Sequence, residues 1–385
     1  MLRNKSRILL FLMAVTSCIT PFEPDIKPAD VNKYVVNGRV SDDGDVQTVT
    51  VSEASSVKDP FFIPVSGCSV TIRDDTGNQF IFSESTPGRY VGMIDSSLVV
   101  PGRGFMVSVV TPEGTSMESD FDFVNECPPI DTVYYLRKEI VSGTESGKPL
   151  QGIQFYIDLD AGSSRGRFFR WSLTETWEYH VIYPREWYYD GEVHHIFPPD
   201  YSRKVCWITV PVRNIFTLST IGLVSNTYEM LPLHFVDNST SARLVYGYSL
   251  LVSQYSLSEA AFDYWDQVKI NSSTQGSLYQ KQPLQIRGNL HNITDPGKDV
   301  LGYFEASSVK SRRIFIKDVP DLENKFVPGC SAYALRRGFW ELNRDDYPAW
   351  LLGDEHGYAM VLLGIECVDC ISLGGINVKP SYWPW

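Results

Sequence analysis

The stretch Cys68–Glu84, CSVTIRDDTGNQFIFSE, reads as two strands with a turn between them. Val70 and Ile72 alternate with Thr71 and Arg73, and Phe80 and Phe82 stand two apart beyond Thr76-Gly77, the period of half-buried β-structure punctuated by turn chemistry. The same texture recurs on both sides, in YVVNGRV (34–40), VQTVTVSE (46–53), GRYVGM (88–93) and RGFMVSVVTPEG (103–114), with Asp43-Gly44 and Pro87-Gly88 as further turns. About seven short strands within roughly 90 residues define a β-sandwich, placed at residues 33–127.

Upstream the composition changes. Arg3, Lys5 and Arg7 precede the apolar run Ile8–Val15 and the small residues Thr16 and Ser17, the three parts of a secretory leader. The run is too short to span a bilayer, which takes about 20 apolar residues. Val15-Thr16-Ser17-Cys18 resembles the bacterial lipobox. That resemblance implies a lipoprotein signal peptide over 1–17 and acyl chains such as palmitate on Cys18, the first mature residue. Pro21, Pro24 and Pro28 keep residues 18–32 extended, as a lipid-proximal linker. Glu23 and Asp25 resemble the acidic surface-export signal of Bacteroidota lipoproteins. The other reading is a solvated linker on the periplasmic face, so the leaflet stays open.

The chain has 385 residues, with 34 Lys+Arg against 46 Asp+Glu, a formal charge of −12, and loss of the leader removes three of those bases. Such a chain is expected to repel nucleic acid and anionic lipid surfaces, and no nucleic-acid partner is expected. Its 43% apolar and 21% charged content is globular, and its length calls for two domains. No later run reaches 18 apolar residues.

Pro128-Pro129 in FVNECPPIDTVYYL marks the second domain, 128–385, expected as a larger antiparallel β domain. Asp131-Thr132-Val133 resembles an O-glycosylation pattern of exported Bacteroidota proteins, with Thr132 the acceptor. In RFFRWSLTETWEYHVIYPREWYYDGEVHH, the alternating Phe169, Trp171 and Leu173, then Trp177, Tyr179 and Val181, predict two half-buried strands or one long bent one. Pro184 ends that run. Trp187, Tyr188 and Tyr189 fall in the loop expected next, ending near Gly191, and are the candidate ligand-binding residues, able to stack on sugar rings or peptide side chains. The alternative is that these rings fill a β core. One amphipathic helix is legible: Ser256 and Glu259 form a capping box, Leu257, Ala261, Tyr264/Trp265 and Val268 follow at helical spacing, and Asn271-Ser272-Ser273 closes it.

Two resemblances follow. The first sandwich is similar to transthyretin-like, carboxypeptidase-regulatory-like modules, which implies an Ig/transthyretin-like spacer without catalytic residues and a turn at Gly88. The segments PPIDTVYY, FFRWSLTETWEY, YSLLVSQYSLSEAAFDYWDQV, GNLHNITDPGKDVLGYFEASSV and CVDCISLGGINVKPSYW resemble a family of Bacteroidota outer-membrane lipoproteins known as domain of unknown function 4249. The elements Arg170-Trp171 and Glu175-Thr176-Trp177 belong to that likeness. It implies an accessory subunit of nutrient uptake beside a TonB-dependent receptor, and it carries over no catalytic residue.

Six cysteines remain beyond Cys18, and an even number in an exported chain reads as disulfides. Cys68 and Cys127, both in the first sandwich, are the natural partners. Cys206, Cys330, Cys367 and Cys370 allow three pairings. A redox pair or a zinc site at Cys367-Val368-Asp369-Cys370 is the weaker reading, because no helix start follows and no second close pair exists. His194 and His195 would share a metal only in an irregular loop, so no metal and no cofactor is assigned. No G-x-S-x-G, H-E-x-x-H or phosphate loop occurs. Lys379–Trp385 is expected to tuck against the second domain with Trp383 buried. The expectation is therefore a non-enzymatic, lipid-anchored outer-membrane binding or accessory subunit. Its rivals are a surface enzyme on carbohydrate or peptide and a structural or adhesive surface protein.

Overall fold

A computed structural model describes residues 33–55, 61–141, 149–273, 286–334, 338–339, 342–353 and 359–385. Cys18, Glu23, Asp25 and the whole leader lie outside the described residues. The alternating runs of the first half become β1 (Tyr34–Ser41), β2 (Val46–Glu53), β3 (Ile63–Pro64), β4 (Ser69–Asp74), β5 (Gln79–Thr86), β6 (Arg89–Met93), β7 (Gly104–Val110), β8 (Ser116–Ser119) and β9 (Asp122–Phe123).

The β4–β5 hairpin shows how the sequence closes. Asp74, 2% exposed, accepts through Oδ1 from the backbone N–H groups of Thr76 (3.0 Å) and Asn78 (2.8 Å), and Arg103 Nη1 reaches its Oδ2 at 3.1 Å. Burial alone would raise this carboxyl, but the hydrogen bonds from Asn78 and Thr76 outweigh it and hold it low. Gly77 supplies the left-handed residue of the turn, at φ +95°. Gly88 does the same at φ +71°, where a Cβ would meet Val51 O at 2.7 Å.

The second half contributes β10 (Thr132–Ile140), β11 (Leu150–Asp160), β12 (Phe168–His180), β13 (Arg185–Tyr189), β14 (Val193–Asp200), β15 (Val205–Ser219), β16 (Thr227–Asp237) and β17 (Tyr248–Ser256). Helix α1 (Glu259–Ser273) follows, then β18 (Leu290–Asn292), β19 (Phe304–Ile316), β20 (Ala332–Ala334), β21 (Ala349–Gly353) and β22 (Ala359–Leu363). Sandwich-like packing of large antiparallel sheets makes the protein mainly β. Among the described residues no helix is long and apolar enough to cross a membrane.

One continuous sheet runs β15-β12-β17-β19-β1-β2-β6-β5-β4-β7-β8-β18. The first core holds Val36, Val49, Ile72, Phe82, Tyr90, Phe105 and Met117, and residues from far along the chain complete it: Leu290, Val300, Phe304 and Ala306. They arrive because β19 pairs in parallel with β1, Gly38 opposite Phe304 through Ser41 opposite Ser307, while β18 pairs with β8. The second core lies between β15-β12-β17-β19 and the three-stranded sheet β10-β11-β16. Ile153, Phe155 and Ile157 face Phe169, Trp171, Leu173 and Tyr248 there, and the rings of Phe155 and Tyr248 stack at 5.7 Å.

The long aromatic run is one strand, β12, with a register shift against β15 between Trp171 and Leu173. Helix α1 starts two residues later than the sequence places it, because its cap is Ser258, whose Oγ accepts from Ala261 N at 3.2 Å. Ser256 instead ends β17 with its side chain buried, so the expected capping box does not form. The C-terminal tail packs as expected on the outer face of the sheet. Trp383 is 4% exposed and meets Phe315 and Trp385 edge-on, while Tyr382 Oη lies 3.1 Å from Thr176 Oγ1.

Candidate functional site: an aromatic ladder on a small sheet

Trp187, Tyr188 and Tyr189 are not in a loop. They are the last three residues of β13, inside a five-stranded sheet ordered β14-β13-β21-β22-β20. The reason is pairing on both edges. Trp187 stands opposite His195 and Leu351, Tyr188 opposite His194 and Trp350, and Tyr189 opposite Val193 and Ala349. All three are half-buried.

Strand alternation divides the rings between two faces. On one, Trp187 stacks on His195 at 3.8 Å with planes 5° apart, His195 meets Phe197 at 5.9 Å, and Tyr189 stacks on Phe339 at 4.6 Å. On the other, Tyr188 stacks on His194 at 4.7 Å and touches Trp350 at 5.8 Å. Trp350 and Leu352 pack against a small core of Leu363, Cys367 and Val368. Tyr188, Trp350 and Leu352 on that face are half-buried, whereas Leu351 and Ala349, opposite Trp187 and Tyr189, are buried beneath the first face. The first face ends on Phe197, 83% exposed, and forms a graded aromatic surface. His194 and His195 point to opposite faces and pair separately, with Asp190 (2.9 Å) and Glu186 (3.3 Å). Among the described residues no group of three or more His, Cys, Asp and Glu is placed to hold a metal ion.

Glu175 belongs to the family-like element Glu175-Thr176-Trp177. It sits in the core-facing row of β12 with Trp171, Leu173 and Trp177, 3% exposed. Arg243 binds it bidentately at 2.7 and 2.9 Å, Tyr248 Oη donates at 3.1 Å, and His234 Nε2 lies 3.3 Å away. Burial pushes this carboxyl up, but His234 and Arg243 outweigh it and bring it down to about 2. The Arg243 guanidinium also lies over Trp177 at 4.3 Å. The signal was present in the sequence: an acid at the one position where the alternating row 169–181 should be apolar.

A second buried pair joins the two sandwiches. Arg170 lies between the rings of Tyr255 (4.3 Å) and Trp265 (4.4 Å) and donates to Glu305 at 2.7 Å, while Trp265 Nε1 donates to the other oxygen at 2.6 Å. Nearby, burial raises Asp122 to about 6, against the opposing hydrogen bonds from Ser258 and Ala306 N. These groups hold strands together rather than face solvent.

The cysteines resolve into Cys206–Cys370 and Cys330–Cys367. The expected Cys68–Cys127 bridge does not form. Cys68 stands at the start of β4, its N–H bonded to Tyr90 Oη at 2.9 Å, whereas Cys127 is buried against β17 with its thiol 3.3 Å from Gln254 O. Both are free and buried, and burial raises the Cys68 thiol above its ordinary range and Cys127 to about 11. Thiol titration of the folded chain is accordingly expected to leave both unreacted, and to find them only after denaturation. Rapid reaction in native buffer would contradict this placement. Thr132 opens β10, partly exposed.

Fold and site together define a β-sandwich protein with an aromatic surface on an appended sheet. The family model described as "Domain of unknown function (DUF4249)" matches residues 19–313, and the chain belongs to that family. No curated protein matches it. Among solved structures, a DUF4785 family protein from Legionella pneumophila is similar at 12% identity and TM-score 0.17, over 58% of this chain and 53% of that one. Trypsin-activated alpha-2-macroglobulin from Escherichia coli is similar at 8% identity and TM-score 0.19, over 62% of this chain and 15% of that one. The chain thus spans about half the length of the first and a small part of the second.

Proposed function

We propose that this protein is a lipid-anchored outer-membrane accessory subunit, held by Cys18, that binds its partner or ligand through the face carrying Trp187, His195 and Phe197. In this reading it works beside a TonB-dependent receptor in nutrient uptake and performs no chemistry of its own. The observation that carries it is the aromatic ladder: rings fixed by strand register and stacking, ending on the exposed Phe197. Preordered aromatic rings give contact area at small entropic cost and are enriched at binding hot spots. The buried carboxylates Glu175 and Glu305 are each engaged by an arginine inside the fold, which favours binding over acid–base catalysis.

Immunoprecipitation of the full chain from membranes in mild detergent tests this. An outer-membrane receptor is expected to co-purify, and Phe197→Ala, which removes an exposed ring and no core contact, is expected to lower its recovery about ten-fold or more, as loss of a hot-spot residue does. Recovery of no outer-membrane protein, or undiminished recovery with Phe197→Ala, would sink the proposal.

A further inference from the structure

On the outer face of the large sheet, the fold leaves one half-buried arginine without an anion. Five arginines lie over aromatic rings: Arg39, Arg170, Arg185, Arg243 and Arg313. Arg170, Arg185 and Arg243 each bind a carboxylate, and Arg39 is raised against its burial by Tyr255, Glu305 and Asp43. Arg313 has no carboxylate partner among the described residues. Its guanidinium lies 3.8 Å over the ring of Tyr382, and Nη1 donates to Ser249 Oγ at 2.9 Å. Burial pulls this guanidinium below its ordinary range, and Tyr382 restores only part of the loss. Burial acts on Arg243 as well, but there Glu175 outweighs it. A guanidinium has five N–H donors, and no nitrogen of Arg313 is buried without a partner, so the donors that Ser249 and Tyr382 leave over are open to solvent.

Helix α1 and the C-terminal tail frame the ground beside it. Along β12, α1 covers the Arg170 end through Trp265, and the tail covers the Thr176 end through Tyr382. Those two residues point to the same face, about 20 Å apart. Register lays two rows across the sheet between them, Ser172-Ser253-Ser311 and Thr174-Leu251-Arg313. Ser311 is exposed and the other five are half-buried, so the rows form the floor of an open trough. Four of the six are hydroxyls, which both donate and accept. β12, β17 and β19 are each paired on both edges, so the floor has no free backbone for an added peptide strand, and Leu251 is its one aliphatic side chain. Charge narrows the choice further. A guanidinium takes a carboxylate bidentately, one cation matches one negative charge, and a chain of formal charge −12 repels polyanions.

We propose that this trough is a binding site for a sugar acid, with the carboxylate on Arg313 and the sugar hydroxyls on the serine and threonine rows. The site is separate from the aromatic ladder and needs neither the lipid nor a receptor. Calorimetric titration of the full chain with D-glucuronate, and with glucose as its uncharged counterpart, tests it. Saturable binding of glucuronate is expected, with glucose at least about ten-fold weaker, the loss that goes with a charged hydrogen bond. Arg313→Gln should bring the two sugars to equal affinity, and Arg313→Lys, which keeps the charge without the planar fork, should restore part of the preference. An Arg313 that only holds Tyr382 in place would leave the preference for glucuronate intact in Arg313→Gln, and that result overturns the proposal. The wild-type chain supplies a check that needs no variant. Glucuronate should slow modification of Arg313 by phenylglyoxal, read by peptide mass spectrometry, and leave the exposed Arg89 of β6 unaffected. Equal binding of glucuronate and glucose, an unprotected Arg313, or an acidic peptide that binds more tightly than glucuronate would each refute the assignment.

Discussion

Arg243→Ala is expected to destabilise the protein by about 3–5 kcal/mol, because it leaves Glu175 as a charge buried in the second core with its bidentate partner gone. The carboxylate cannot turn to water: it is 3% exposed, on the inward row of β12 between Leu173 and Trp177. Glu175→Gln with Arg243→Met, which removes both charges, should recover most of the loss, since replacing a buried pair costs far less than breaking it. Equilibrium denaturation of the three chains measures this. Equal stabilities for the wild type and Arg243→Ala would show that the pair is immaterial.

The same groups fix a pH dependence. Glu175 is depressed from its ordinary 4.5 to about 2, so its contribution is present above about 4.5 and is lost as pH falls toward 2, about 3 kcal/mol in all. Asp122 has the opposite sign. Its carboxyl is raised from 3.8 to about 6, so its contribution is present below 3.8 and is lost as pH rises through 6. Above about pH 4.5 the Glu175 contribution is complete, so the fall in stability from there to pH 6 belongs to Asp122, and Asp122→Asn should remove it. Stability curves of Asp122→Asn and the wild type that run parallel over that interval would contradict the assignment.

Much of the fold was legible because period and turn chemistry are local. Val70, Ile72 and Phe82 declared the first core, Thr76-Gly77 the hairpin, and Phe169 to Tyr179 the long strand. Long-range pairing was not legible, because nothing in the residues near Phe304 says that their parallel partner is β1. That return strand fills the first core, and it draws Arg170, Trp265 and Glu305 to the junction of the sandwiches. Local ambiguity accounts for the other differences. Both Ser256 and Ser258 can cap a helix, and only the extent of β17 decides between them. Trp187–Tyr189 follows a proline and precedes Asp190-Gly191, which is loop chemistry until β21 supplies a second pairing edge. Cys68 and Cys127 share a sandwich in sequence terms, yet Cys127 is already turned under β17.

The largest loss is expected from Cys206→Ser with Cys370→Ser. The bridge spans 164 residues, and in the chain-entropy account a crosslink over such a loop contributes about 5 kcal/mol, against about 4 kcal/mol for Cys330–Cys367 over 37 residues. Serines at two positions with no solvent exposure add unsatisfied hydroxyls to that loss. The loss has a specific place. Cys206 lies in β15 and Cys370 in the turn after Cys367, and beyond them the tail is held by the reciprocal backbone pair Trp207–Ile376 (2.9 and 3.0 Å) and by Trp383. Once the bridge is cut, the segment beyond Cys370 is held by those noncovalent contacts alone, so it should detach before the sandwich opens. Trp383 leaves a buried site in the process, and its fluorescence should fall away at lower denaturant than the far-ultraviolet signal of the sheets. Cys330→Ser with Cys367→Ser leaves β15 tied to the tail and should keep the two transitions closer together. Peptide mapping without reductant that joined Cys367 to Cys370, or a Cys206/Cys370 variant whose two signals moved as one at unchanged midpoint, would refute this account.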